Sequence, residues 1–163
     1  EVLEFAEKRK IALKIDAKIW RLSSVDLESV FKLIDNSKAS VGISCKTVEQ
    51  SEQVAARLAD CHIHFDGNVN EEILQKLKTV AGDKLFVWVP YKCNATNWVK
   101  VDFIDHEKAV LVKQYAKLGI WVLDSEDQLA AAVDLYADVI ETNGNLKPRP
   151  IEVKSVSVPN ASE

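Results

Sequence analysis

Two stretches of this 163-residue chain carry charge where a core strand is ordinarily apolar. In IALKIDAKIW, Ile11 to Trp20, the residues Lys14, Asp16 and Lys18 alternate with Leu13, Ile15, Ala17 and Ile19. Side chains alternate faces along a strand, so the charged set shares one face and the apolar set the other. CHIHFD repeats the arrangement, with His62, His64 and Asp66 on one side and Cys61, Ile63 and Phe65 on the opposite one. A carboxylate such as Asp16 can hold a hard divalent cation, Lys18 beside it can offset charge on a phosphoryl oxygen, and H-x-H can hold a transition metal. Each has a plainer alternative. Asp16 and Lys18 also fit a structural ion pair, and His62 and His64 fit hydrogen-bonded interior histidines, because no matching Cys or His cluster occurs elsewhere in the sequence. Trp88 and Trp121 read as packing residues first and ligand platforms second.

The elements that would position these residues follow a repeating pattern. Short runs rich in Val and Ile alternate with amphipathic segments, as in βα units on a parallel sheet. Strands are expected at Ile11 to Ala17, Ser40 to Ser44, Cys61 to Phe65, Leu85 to Val89, Ile120 to Leu123 and Asp138 to Thr142. Leu27, Val30, Phe31 and Ile34 make one apolar helix face behind Ser23 and Asp26, which stand in capping-box order. Thr47 with Gln50 and Ser125 with Gln128 repeat that start signal, Ile73, Leu74 and Leu77 form a further stripe, and Asp105 opens another helix at His106. PYKCNATNWVKVDFIDHE reads as one long irregular connection of the kind that carries or covers a site. Residues 148–163 read as an extended tail beyond a domain of residues 1–147.

Two architectures accept this spacing. A doubly wound sheet would be expected to carry a glycine-rich phosphate loop after its first strand, and neither G-x-G-x-x-G nor G-x-x-x-x-G-K-[ST] occurs. A (β/α)8 barrel needs two more units than the six present, and the abrupt opening in EVLEFAEKRK suggests a fragment that lacks the first two. In a barrel, Lys14, Asp16 and Lys18 face the lumen. Ser44, Lys46, Trp88, Pro90, Asp124 and Glu141 or Thr142 extend their ring at the C-terminal strand ends, where barrel enzymes keep their chemistry. A net charge of −4, with Lys and Arg spread along the chain, gives no basic stripe for nucleic acid. No apolar run approaches the length of a transmembrane span. Cys45, Cys61 and Cys93 have no metal-ligand spacing and read as buried thiols. Asn94-Ala95-Thr96 and Asn160-Ala161-Ser162 match the glycosylation sequence in form only.

EVLEFAEKRKIALKIDAKIW resembles the segment of glycerophosphodiester phosphodiesterases in which a helix leads into a strand ending in an E-I-K-like motif. LGIWVLDSEDQLAAAVDLYADVIETNGNLKP is similar to that family's penultimate strand, short helix and final strand, with Tyr136 where a glycine is common. The resemblance implies a TIM (β/α)8 barrel of which strands three to eight are present. It implies that Asp16 is a ligand of a divalent metal, Mg²⁺ or Ca²⁺, and that Lys18 lies near the substrate phosphate; His64, Trp88 and Trp121, which converge on the same rim, are expected as further substrate-binding residues. The family's H-R-G, E-N-T, E-x-D and H-D motifs all precede its acidic strand and do not occur here, so the catalytic residues are expected upstream of Glu1.

The activity the resemblance implies for the intact protein is metal-assisted hydrolysis of glycerophosphodiesters or related phospholipid headgroup diesters. The alternatives are a non-catalytic binding or structural module that keeps the barrel surface, and another barrel hydrolase using His62 and His64 on a metal. A six-stranded open barrel leaves two edges, to be covered by the missing N-terminal segment, a swapped domain or a second copy of the chain.

Overall fold

Helices begin where the sequence places side-chain caps. The computed structural model describes residues 1–93 and 100–142, with residues 91–93 and 100–104 described by backbone alone. The 148–163 tail, both Asn-x-Ser/Thr sequences and the Cys93 side chain lie outside the described residues. Ser23 Oγ accepts the Asp26 N–H at 3.2 Å and donates to Asp26 Oδ2 at 2.7 Å, opening α2 (Ser24–Asp35). α3 (Val48–Arg57) and α6 (Glu126–Asp134) start with one shared device. Thr47 and Ser125 accept from the backbone of Gln50 and Gln128, whose amide oxygens reach back to accept the N–H of Lys46 and Asp124. Two βα junctions are thereby fixed on either side of the sheet's C-terminal ends. Asn70 caps α4 (Glu71–Ala81) and Asp105 caps α5 (His106–Lys113), whose first residue His106 is exposed.

The strands are β1 (Leu13–Ile15), β2 (Val41–Cys45), β3 (His62–Phe65), β4 (Leu85–Cys93), β5 (Lys100–Ile104), β6 (Lys117–Leu123) and β7 (Val139–Thr142). Six run parallel in the order β1-β2-β3-β4-β6-β7, and β5 pairs antiparallel with β4 alone. Five strand spacings of ~4.8 Å would separate β1 from β7 by about 24 Å in a flat sheet. Instead Lys14 of β1 lies 3.5 Å from Glu141 of β7, so the sheet curls into an open half-barrel.

The outer face of the sheet holds the core. Val41, Ile43, Cys45, Ile63, Phe65, Val87, Val89, Leu118 and Ile120 cluster with Phe31 and Ile34 of α2, Val54 of α3, Leu74 and Leu77 of α4, Val112 of α5 and Ala132 of α6. Burial pushes the Cys45 and Cys61 thiols up to about 12, which leaves them as inert apolar groups.

Two expectations are corrected. The stretch from Pro90 to Glu107 is not an irregular connection throughout: β4 continues to Cys93 and β5 returns beside it, Tyr91 opposite Ile104 and Cys93 opposite Lys100. The alternation in WVKVDFI is a strand signal that the neighbouring Asn and Cys obscure. The first strand also ends earlier than Ala17. Asp16 Oδ1 accepts the Lys18 N–H at 2.9 Å, and this local bond turns the chain into a 3-10 helix, Ala17–Arg21, that buries Ile19. Tyr136 has a left-handed φ of 52° and its N–H donates to the Val133 carbonyl, which closes α6.

Candidate functional site

The inner face of the half-barrel is polar and aromatic. Register places Lys14 beside Gly42, Gly42 beside His62, Ser44 beside His64 and His64 beside Phe86. His64 stacks on Phe86 with centroids 4.8 Å apart and planes at 7°, and on Trp88 at 5.7 Å. Trp88 Nε1 donates to His64 Nδ1 at 3.0 Å. His64 is thereby fixed as a neutral imidazole with its proton on Nε2. Burial, followed by the charge of Lys14, depresses its pKa to about 4. Two strand glycines admit these rings: a side chain at Gly42 would collide with the His64 ring, and a Cβ at Gly119 would lie 2.6 Å from Trp88 Cδ2.

Charges cap the column at both ends. Lys14 Nζ sits 3.8 Å from the Trp88 ring centroid, and Lys117 Nζ lies 4.9 Å from that of Phe86. An inner cavity of about 540 Å³, including Lys14, His62, His64, Phe86, Trp88 and Glu141 in its wall, runs toward the N-terminal strand ends. A mouth cavity of about 650 Å³ opens at the C-terminal ends, among Lys14, Asp16, Lys18, Trp20, Arg21, Lys46, Gln50, Asp66, Trp121 and Glu141. The two share Lys14, Asp16 and Glu141.

Of the five site residues expected from sequence, Asp16, Lys18 and Trp121 meet at the mouth cavity, while His64 and Trp88 lie deeper on the inner one. Lys18 does not share the lumen face of Lys14. The 3-10 turn carries it to the rim, 78% exposed, with Nζ 3.9 Å from Asp16 Oδ1. Trp121 is 37% exposed at the rim, whereas Trp88 is 3% exposed and walls the interior. Lys46, Asp66 and Glu141 join the mouth as expected. Trp20, Arg21 and Gln50 are additions whose position depends on the 3-10 turn and on the α3 cap. Trp20 Nε1 donates to the Ser44 carbonyl at 2.8 Å, so the turn is anchored to β2.

The mouth carboxylates differ in state. Asp16 is held below the usual carboxylate range, first by the Lys18 N–H, and is ionised. Asp66 is raised by burial despite the opposing charge of Lys14. Its Oδ1 is buried without a hydrogen-bond partner, and so is the hydroxyl of Ser44, which lies beside it without a bond of good geometry. Among the described residues, no three His, Cys, Asp or Glu side chains are placed to hold one metal ion, so Asp16 fits a metal only as one oxygen donor of a set completed elsewhere. No helix among the described residues is long and apolar enough to cross a membrane. No family model matches the chain, and no curated protein matches it in sequence.

Proposed function

We propose that the mouth cavity receives the phosphate of a small phosphodiester, and that the intact protein is a (β/α)8-barrel hydrolase resembling glycerophosphodiester phosphodiesterases, with this chain contributing strands three to eight. One observation carries the reading: Lys14, Lys18, Arg21 and Lys46 meet Asp16, Asp66 and Glu141 around one cavity at the C-terminal ends of parallel strands. Four cations against three carboxylates leave an excess positive charge suited to a phosphodiester anion. The Trp121 indole offers an apolar wall for its alcohol portion. Asp16, ionised, would supply one oxygen to a bound Mg²⁺ or Ca²⁺, and that cation would polarise the phosphoryl group. The lysine ammonium groups offset charge that develops on the phosphoryl oxygens.

In the intact protein, Asp16→Ala should reduce divalent-metal-dependent hydrolysis of glycerophosphodiesters at least about tenfold, the scale of losing one preorganised electrostatic group. Unchanged activity and metal dependence would exclude the role given to Asp16. A second reading, a binding module without turnover, draws on the absence of a three-donor metal group among the described residues. It predicts phosphodiester binding by the intact protein with no hydrolysis at any divalent-metal concentration.

A further inference from the structure

We infer that Lys14, rather than the rim residue Lys18, is the cation that receives the phosphate, and that Trp88 and His64 are the residues that position it. The inference rests on the phosphodiester reading of the mouth cavity. Lys14 faces the lumen from β1, is 31% exposed and lines both cavities. Its ammonium is located from two directions, 3.8 Å from the centroid of the Trp88 ring and 3.5 Å from Glu141 Oε2. Trp88 is held in turn by its bond to His64 Nδ1, and His64 by its stack on Phe86. Neither ring could lie where it does with a side chain at Gly42 or Gly119. The Lys14 charge acts on Asp16, His64 and Asp66 alike, which puts it among the polar groups of the site.

Lys18 has none of this support. Its described ion pair is the 3.9 Å contact to Asp16, and both partners are largely solvated. A flexible exposed lysine loses rotamer freedom when it binds an anion, whereas a lysine already seated on a ring face has lost most of it beforehand. An ammonium has three donors. The ring face consumes none, and the Glu141 contact is longer than a good charge-assisted hydrogen bond. Lys14 can therefore turn donors to an entering phosphate while remaining in place. Glu141 opposes the anion from the same wall, so the ligand is expected to displace part of the Lys14–Glu141 contact rather than add to it.

The test uses the full chain with sn-glycerol 3-phosphate as the probe, titrated by calorimetry. Lys14→Met should weaken binding about tenfold or more, Lys14→Arg should retain it within about threefold, and Lys18→Met should cost less than about threefold. Trp88→Phe, which keeps a ring face beneath the ammonium but loses the bond to His64, should weaken binding clearly less than Trp88→Leu, which should lose as much as Lys14→Met. A merely structural role for Trp88 predicts equal losses in its two variants and would overturn the positioning assignment. Wild-type binding with the larger loss in Lys18→Met overturns the choice of Lys14 and leaves the phosphodiester reading standing. No binding by wild type at tens of millimolar probe overturns both.

Discussion

The lumen column and the rim of the mouth use the same residue types in opposite ways. In the column, a lysine, two aromatic rings and a histidine are locked by stacking and one indole hydrogen bond, against strands whose glycines make room. At the rim, Lys18, Asp16 and Trp121 are each substantially exposed, and the ion pair between the first two is long. A group fixed by packing has given up its freedom during folding, whereas an exposed group gives it up on binding. Lumen residues should therefore couple strongly to stability and to ligand together, and rim residues only weakly to stability.

The two tryptophans make the sharpest contrast. Trp88→Ala should cost about 3–5 kcal/mol, since it removes a buried ring and the partners of Lys14 and His64. Trp121→Ala should cost less than about 1 kcal/mol. Urea midpoints measure both, and similar losses would erase the distinction between column and rim.

His64 gives the next effect through pH. Its folded pKa of about 4 lies below the unfolded 6.5, so both states are neutral above pH 6.5. Between pH 6.5 and 4 the unfolded chain binds more protons, and stability falls as the pH falls, by about 2 kcal/mol once the full shift is discounted for solvent screening. His64→Gln keeps an acceptor for Trp88 and removes the titration, so its urea midpoint should change less across that window. An identical slope in the variant would mean that His64 is not the titrating group.

The smallest effects belong to the rim. Asp16→Ala should destabilise by about 1 kcal/mol through loss of the Lys18 N–H cap, while Lys18→Ala should change stability by less than about 0.5 kcal/mol. Thermal melting of the two variants checks the order, and a larger loss at Lys18 would show that the ion pair matters more than the cap.

The parallel βα pattern was legible because its signals are local. Period-two alternation in HIHF and the Ser and Thr caps at 23, 47 and 125 act within a few residues, and tertiary packing did not override them. The 3-10 turn was not legible: IALKIDAKIW alternates as a strand through Ile19, and only the competition of the Asp16 side chain for the Lys18 N–H ends it at Ile15. β5 was hidden because an alternating run followed Asn and Cys in a stretch read as a loop. Within the site, Lys14 was placed on the correct face, but its anchoring by Trp88 comes from the curl that links β1 to β4 and β7 across the lumen, which pairing of neighbouring strands alone does not specify. Gly42 and Gly119 carried a readable sign, glycine inside a strand, whose meaning required knowing which rings lay opposite.

Backbone amide shifts during titration with sn-glycerol 3-phosphate test the placement of the ligand most directly. The predicted result is a set of changes confined to the C-terminal strand ends, at Lys14, Lys46, Asp66, Val122 and Glu141. The basic residues Lys84 and Lys117 at the opposite ends should be unmoved. Changes centred on Lys84 and Lys117, or no saturable change at all, would contradict a phosphate site at the mouth of the half-barrel.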